Sequence, residues 1–315
     1  MKVAWLFPGQ GAQSVGMCRE IFDASSAARS VLAEADAALG EPISRLILEG
    51  PEDVLTLTAN AQPAIVAVSC AVLAAVQDRH ALALPSFGAG HSLGEYSALV
   101  ASGALRLADA VRLVRARGKA MQDAVPAGMG AMAAIMGLDP QTVEALCAQA
   151  SQESGQVVSA ANFNAPGQVV IAGHAAAVAL ASTLVSDAKG KAIQLKVSAP
   201  FHCALMAPAA KVVAAHLDLI ELGELTFPVV ANVDALPNSS AHRVKELLVR
   251  QVDGAVRWEE SVRHKHKAGV TLALEIGPGK VLAGLLKRIS KDIKVLSVGD
   301  LAALEHVPEF LLGAA

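Results

Sequence analysis

The apolar positions of this chain follow two spacings, one typical of short buried strands and one typical of amphipathic helices. Residues 3–7 form an apolar run of strand length, and residues 106–125 repeat apolar side chains at the 3.6-residue spacing of a helix. Further helices are predicted over 27–39, 61–79, 204–217, 241–252 and 280–289, and further strands near 226–231 and 271–276. Strands that alternate with helices in this way predict an α/β fold with a parallel sheet.

The order of elements changes between residues 130 and 197. Asp139-Pro140 combines an N-cap residue with a proline at the first helical position, and it predicts a helix to about residue 150. Strands are predicted at 131–136, 157–162, 168–172 and 192–197, with a second helix at 175–188. This β-α-β-β-α-β order is ferredoxin-like. We therefore predict a small domain of residues 128–197 inserted into a large domain of residues 1–127 and 198–315, with a ligand cleft between the two.

Composition excludes several classes of function. A net charge of −3 and an aromatic content of 3% give no sign of nucleic-acid binding. The four cysteines show neither a zinc spacing nor a disulfide framework, so we expect a reducing compartment and no metal. The N-terminal apolar run is too short for a signal peptide, and the run at 64–76 is too short to cross a bilayer. We expect a soluble cytoplasmic protein.

Gly90-His91-Ser92-Leu93-Gly94 is a GxSxG pentapeptide, the motif of a nucleophile elbow. An elbow requires a strand before it and a helix after it, and the flanking residues fit both. The turn would hold the Ser92 hydroxyl at a helix N-terminus, where backbone N–H groups can stabilise an oxyanion. The alternative is a turn of small residues without chemistry, since GxSxG also arises by chance.

Arg117 falls on the apolar side of the helix predicted over 106–125. A buried guanidinium is costly unless an anion meets it, and its fork matches a carboxylate through two parallel hydrogen bonds. Arg117 therefore indicates an acyl group that carries a carboxylate. An internal ion pair with Asp or Glu is the alternative.

His202 is the preferred base for Ser92. It follows a strand-like run and the rigid bend at Pro200, and α/β proteins place their sites at strand ends. A core or surface histidine without a catalytic role remains the alternative.

Two glycine motifs give weak signals. Gly9-x-Gly11-x-x-Ser14 lacks the third glycine of a dinucleotide fingerprint, and Gly277-Pro278-Gly279-Lys280 lacks the spacing of a phosphate loop. We interpret the first as a loop whose amides approach a reacting oxygen and the second as a strand-to-helix turn.

Together these residues resemble the malonyl-CoA:acyl carrier protein transacylases of bacterial fatty-acid synthesis, over about residues 3–298. The resemblance rests on Phe7-Pro8-Gly9-Gln10-Gly11, Gly90-His91-Ser92-Leu93-Gly94-Glu95, Arg117-Gly118-Lys119, Asn162-Phe163-Asn164, Ser198-Ala199-Pro200-Phe201-His202, Asn232-Val233-Asp234, Gln251 and Glu275-Ile276-Gly277-Pro278-Gly279. The chain departs at Cys203-Ala204, where the family often has Ser-Pro, and at residues 252–255 after Gln251.

The resemblance implies a role for each matching residue. Ser92 is the acyl-accepting nucleophile and His202 is its base, with the ring oriented by the backbone carbonyl of Gln251. The N–H groups of Gln10 and Leu93 form the oxyanion hole, and Arg117 binds the malonyl carboxylate. The other residues that the resemblance places at the substrate pocket are Asn162, Asn164, Phe201 and His91.

The resemblance also implies an α/β-hydrolase-like large domain with a ferredoxin-like insert, and ping-pong transfer of malonyl from coenzyme A to the phosphopantetheine thiol of an acyl carrier protein. We expect no cofactor, no nucleic-acid or membrane partner, and a monomer. A basic C-terminal third is a hypothetical docking face for the acidic carrier protein, formed by Arg243, Lys245, Arg250, Arg257, Arg263, Lys265, Lys267, Lys280, Lys287 and Arg288. Three alternatives remain: an acyltransferase serving a polyketide synthase or malonate decarboxylase, a serine thioesterase or esterase with Asp187 as its acid, and a binding module without catalysis.

Overall fold

A computed structural model describes residues 2–197 and 199–313 of the protein. Ser198, which belongs to the motif before His202 and begins the second predicted segment of the large domain, lies outside the described residues. The described part is a mixed α/β structure with two separate sheets.

A six-stranded sheet is formed by strands from the first and last thirds of the chain. Its strands are β1 (Lys2–Phe7), β2 (Phe87–Gly90), β7 (Val229–Val230), β8 (Pro237–Asn238), β9 (Val270–Ile276) and β10 (Lys294–Val298). The order is β10-β9-β1-β2-β7-β8, and every pairing is parallel except that of β7 with β8. Phe7 is level with Gly90 in the register of β1 and β2. The loops that follow these two strands therefore meet at one edge of the sheet.

A four-stranded antiparallel sheet is formed by the middle of the chain. Its strands are β3 (Gly130–Met136), β4 (Val158–Ala165), β5 (Gln168–His174) and β6 (Lys191–Gln194), in the order β4-β5-β3-β6. Two helices, α8 (Pro140–Ser154) and α9 (Ala175–Asp187), follow β3 and β5. The Asp139 side chain accepts a hydrogen bond from the Thr142 N–H, as the sequence predicted for the start of α8.

The remaining helices precede or follow the strands of the larger sheet in the chain. They are α1 (Arg19–Ala24), α2 (Ser26–Leu39), α3 (Ile43–Glu49), α4 (Glu52–Thr56), α5 (Thr58–Arg79), α6 (Gly94–Ala101), α7 (Leu107–Asp123), α10 (Ala207–Asp218), α11 (Ala241–Asp253), α12 (Trp258–Lys267), α13 (Val281–Ile289), α14 (Leu301–Glu305) and α15 (Val307–Leu311), with a 3-10 turn at Ala204–Met206. In the described residues, α5 is the one helix long and apolar enough to cross a membrane, and 83% of its most apolar stretch is buried inside the protein.

Several predicted elements differ from the observed ones. The strand expected at 226–231 shrinks to Val229–Val230, because Pro228 precedes it and cannot donate to the ladder. Arg263, Lys265 and Lys267 of the predicted basic docking face belong to α12, and Lys265 is only 1% exposed. Lys265 therefore cannot form part of a basic docking face. Strand β10 and the short helices near both ends were missed because their apolar runs are short.

Candidate active site

The GxSxG segment forms a tight turn between β2 and α6. Ser92 has a φ of 49°, in the left-handed region that side chains rarely adopt. A Cβ on Gly90 would collide with the backbone of Gly94, and one on Gly94 would collide with the backbone of Phe7. The two glycines thus allow the elbow to lie directly on the end of β1, with Ser92 at its apex.

Ser92 and His202 form a hydrogen-bonded pair. Ser92 Oγ lies 2.7 Å from His202 Nε2, and His202 Nδ1 lies 2.9 Å from the backbone oxygen of Gln251. Nδ1 therefore carries the proton and donates to this carbonyl, which leaves Nε2 free to accept from the serine hydroxyl. Burial, with the nearby Arg117 charge, lowers the pKa of His202 to about 3. The ring is consequently neutral at physiological pH, as a general base must be.

Arg117 is 1% exposed and points at the same hydroxyl. Its Nη2 donates to Ser92 Oγ and to Gln251 Oε1, each at 3.1 Å, and Nη1 donates to Gln62 Oε1 at 2.8 Å. The ring of Tyr96 lies 5.4 Å from the guanidinium carbon. In the described residues all of these acceptors are neutral, and no acidic side chain forms an ion pair with Arg117. The internal ion pair that the sequence left open is therefore not what holds this residue.

Gln10 and Leu93 lie beside Ser92, in the loop after β1 and at the start of α6. The Gln10 side chain donates to Thr58 Oγ1 at 3.1 Å. In the described part of the chain, neither backbone N–H group donates to a protein acceptor. Two backbone N–H donors beside a serine that acts as a nucleophile could bind the oxygen of a tetrahedral intermediate.

A cavity of about 830 Å³ opens over the serine and lies between the two sheets. Its wall includes Ser92, His202 and Arg117, together with Met132 on β3 and Lys196 beyond β6. This volume and position suit an extended substrate of the size that ligand clefts usually accept.

The other predicted pocket residues take different positions. Asn162, Phe201 and His91 line the cavity. Asn164 does not: it is buried behind His91, and its Oδ1 lies 2.8 Å from His91 Nε2. Asn164 therefore contacts His91 rather than the cavity, and a role for it in substrate binding stays a prediction.

Sequence reasoning assigned no role to four buried polar residues around the site, namely Gln62, Glu95, Tyr96 and Asn232. Glu95 and Asn232 were quoted as parts of motifs. Gln62 could have been noticed as a polar residue inside the apolar helix α5, because a buried amide needs partners. The acid that the esterase alternative requires is not in place, since Asp187 is exposed at the end of α9.

Comparison with known proteins finds relatives over nearly the whole chain. The profile of the acyl transferase domain family matches residues 4–308. The chain is 46% identical to the malonyl CoA-acyl carrier protein transacylase of Bacillus subtilis, over 96% of this chain and 95% of that protein. It is also 46% identical to the Escherichia coli K12 protein of the same name, over 96% and 97%.

Solved structures show the same similarity. An acyl-carrier-protein S-malonyltransferase from Burkholderia pseudomallei has a TM-score of 0.94 and 47% identity, covering 98% of this chain and 100% of that one. A malonyl-transacylase in complex with the acyl carrier protein of a type II polyketide synthase has a TM-score of 0.95 and 45% identity, again covering 98% and 100%.

Proposed function

This chain belongs to the malonyl-CoA:acyl carrier protein transacylases, and we propose that it transfers malonyl through an ester on Ser92. The observation that carries this mechanism is the contact of one hydroxyl with two groups: Ser92 Oγ meets the base His202 at 2.7 Å and the buried cation Arg117 at 3.1 Å.

The first half-reaction makes the ester. Ser92 Oγ attacks the thioester carbonyl of malonyl-CoA while its proton moves to His202 Nε2. The carbonyl oxygen becomes an oxyanion that the N–H groups of Gln10 and Leu93 bind. When the intermediate collapses, the C–S bond breaks, and the coenzyme A thiolate takes the proton from His202.

The second half-reaction is the reverse with a new thiol. The phosphopantetheine thiol of the acyl carrier protein gives its proton to His202 and attacks the malonyl ester. The C–O bond to Ser92 breaks, and Ser92 Oγ recovers the proton. The Nδ1 hydrogen bond to the Gln251 carbonyl keeps the ring in the required tautomer, as the carboxylate of a triad does elsewhere.

Arg117 selects the acyl group. Among the described residues it donates only to neutral acceptors, so the malonyl carboxylate would be the first anion to accept a hydrogen bond from a charge already removed from water. A bidentate pair in such a site is strong and directional. The same pair of hydrogen bonds would hold the acyl carbonyl at the oxyanion donors, in an orientation that does not favour attack by water.

We also propose the finer division of the fold. The sheet order β4-β5-β3-β6, with helices after its first and third strands in sequence, supports a ferredoxin-like domain of residues 128–197. The nucleophile elbow after a central parallel strand supports an α/β-hydrolase-like arrangement for residues 1–127 and 198–315.

The proposed partners follow from the family and the charges near the cavity. Most arginines of the basic C-terminal third pair locally, as Arg250 does with Glu246 and Arg263 with Glu259. Two exposed lysines are better placed to bind an acidic carrier protein. Lys196 lies on the cavity wall, and Lys280 follows Gly279, which lies close to Ala12 in the loop after β1. We propose that the protein acts as a cytoplasmic monomer without a cofactor.

Mass spectrometry of the intact protein tests the mechanism. After treatment with malonyl-CoA, we expect one added malonyl group, located on Ser92 by peptide mapping. The Ser92→Ala variant should gain nothing, and addition of the carrier protein should remove the group from the wild-type enzyme. An unmodified wild-type protein, or a modified Ser92→Ala variant, would contradict the proposed ester.

Service to a polyketide synthase is the second candidate, because one structural relative was solved with such a carrier protein. The fatty-acid role is preferred because curated relatives with 46% identity carry the transacylase name across nearly their whole length. Rates of transfer to a fatty-acid carrier protein and to a polyketide carrier protein would separate the two.

A further inference from the structure

Glu95 is a buried acid close to the site that the proposed reaction does not use. It lies in the first turn of α6 and is 2% exposed. Its Oε2 accepts two hydrogen bonds, from the Asn232 backbone N–H at 3.0 Å and from Gln251 Nε2 at 2.8 Å. Burial raises the pKa of Glu95 to about 7. A buried acid is expensive to keep, so its contacts indicate what it holds in place.

Asn232 connects Glu95 to the nucleophile elbow. The Asn232 Oδ1 accepts the Ser92 backbone N–H at 2.6 Å, and its Nδ2 donates to the Gly90 backbone oxygen at 2.7 Å. One side chain thus bonds the backbone at Ser92 and at a glycine two residues earlier. Because Ser92 has a positive φ, the surrounding contacts must hold it there.

Gln251 connects Glu95 to the base and to the arginine. Its Nε2 has two hydrogens, and both are used, one on Glu95 Oε2 and one on the Ser92 backbone oxygen at 2.9 Å. The amide oxygen must therefore face Arg117 Nη2, which donates to it at 3.1 Å. A flipped amide would direct hydrogens at a guanidinium. The backbone oxygen of the same residue orients His202.

We propose that Glu95 is a positioning residue for this reaction: through Asn232 and Gln251 it fixes the nucleophile, the base and the malonyl-binding arginine relative to one another. The inference rests on the proposed function, since it concerns the same hydroxyl. Glu95 acts through an acceptor oxygen. A protonated carboxyl or an amide can offer the same oxygen, whereas a side chain without an acceptor cannot.

The variants Glu95→Gln and Glu95→Met test this role. Glutamine keeps one acceptor oxygen, and methionine keeps similar length and volume without an acceptor. Glu275→Met is the matched control, because Glu275, on β9, is also a fully buried acid but accepts hydrogen bonds from Leu282, Ala283 and Ser297. Acylation of Ser92 is timed with malonyl-CoA and with acetyl-CoA, below the unfolding temperature of each variant.

We expect Glu95→Met to slow acylation by both donors about 100-fold, because displacement of reacting groups by about 1 Å has effects of that size. Slower acylation by both malonyl-CoA and acetyl-CoA separates this role from that of Arg117, because Arg117 recognises only the malonyl carboxylate. Glu95→Gln should stay within about fivefold of the wild type, and so should Glu275→Met, despite a lower unfolding temperature.

Two results would overturn the inference. If Glu95→Met acylates as fast as Glu275→Met, Glu95 only satisfies buried groups. If Glu95→Gln is as slow as Glu95→Met, the acceptor oxygen is not what matters. A wild-type enzyme that forms no malonyl ester would refute the proposed function instead, so the two failures are distinguishable.

Discussion

Ser92 and His202 share an unusual backbone feature, a positive φ, with values of 49° and 59°. Residues other than glycine persist in this region only when their surroundings impose it. For Ser92 these surroundings are Asn232 and Gln251, and the backbone oxygen of Gln251 also holds the His202 ring. At this scale the site consists of residues whose backbone conformation is imposed by a few named contacts. Single substitutions should therefore have separable effects.

Replacement of Arg117 should change which acyl group the enzyme accepts. With Arg117→Ala we expect acylation of Ser92 by malonyl-CoA to fall at least about 100-fold, because a buried charged contact to the substrate is lost. Acylation by acetyl-CoA should change less than about tenfold. Arg117→Lys keeps the charge but not the fork, and it should lie between the two. Equal losses for both donors, measured by intact mass, would show that Arg117 does not recognise the carboxylate.

The low pKa of His202 should appear in the pH dependence of acylation. A neutral ring is the active form, so a pKa lowered from 6.5 to about 3 keeps the enzyme active well below pH 6. The rate at which a fluorophosphonate labels Ser92 should therefore decline only as the pH approaches about 3. In Arg117→Ala the decline should begin at higher pH, because the Arg117 charge that lowers the pKa of His202 is gone. A midpoint near 6.5 in the wild type would contradict the assignment.

The same shift affects stability with a defined sign. The unfolded chain binds a proton at His202 near pH 6.5, and the folded chain does not until about pH 3. This residue therefore lowers the free energy of unfolding as the pH falls through that range.

At the scale of elements, the site depends on how strand ends meet helix starts. The close approach of α6 to the end of β1 needs glycine at position 94, and the loop after β1 contacts the elbow at Gly9. A second junction lies along the sheet at β9, where Glu275 accepts hydrogen bonds from the first N–H groups of α13 and from Ser297 on β10. Helix N-termini leave such donors unsatisfied, and a buried carboxylate satisfies them.

Glu275→Gln should weaken the fold without affecting the chemistry. One acceptor oxygen becomes a donor facing another donor in a buried site, which costs about 1–3 kcal/mol of unfolding free energy. Urea unfolding measures this loss, and acylation by malonyl-CoA should remain within about twofold of the wild type. Glu246→Gln, at an exposed ion pair on α11, is the control and should change stability little. If Glu275→Gln had normal stability and impaired acylation, the prediction that Glu275 supports only the fold would be wrong.

At the scale of the whole molecule, the cavity lies between the two sheets, and the core beside the larger sheet contains an amine without a hydrogen-bond partner among the described residues. Lys265 Nζ has no hydrogen-bond partner in the described residues and lies 5.2 Å from the Trp258 ring. Burial lowers the pKa of Lys265 to about 7. Trp258 in turn packs against His91, with ring centres 5.7 Å apart, so this buried group lies behind the site.

Lys265→Met should stabilise the protein and remove a pH effect. Between pH 7 and 10.5 the unfolded chain keeps a proton on Lys265 that the folded chain loses, so unfolding free energy rises with pH by up to about 1.4 kcal/mol per unit. The variant should lose this slope and gain about 1–3 kcal/mol at pH 7. Lys267→Met, two residues further on and exposed, is the control. An unchanged slope in urea titrations would disprove the assignment.

The sequence by itself determined the α/β class, most of the long helices, and the family with its serine, arginine and histidine. These follow from local periodicity and from short motifs with fixed spacing, which do not depend on distant contacts. Boundaries of short strands did not follow, because two residues of a strand carry little periodicity. The burial of Lys265 did not follow either, because it depends on what α12 packs against.

Only the tertiary structure decided how the three motifs meet at one hydroxyl, and that neutral amides rather than an acid hold Arg117 in the free protein. It alone brought Glu95, Asn232 and Gln251 together, since residues up to 156 positions apart lie within hydrogen-bond distance there. Such contacts depend on how separate helices and strands pack together, so no local pattern in the sequence predicts them.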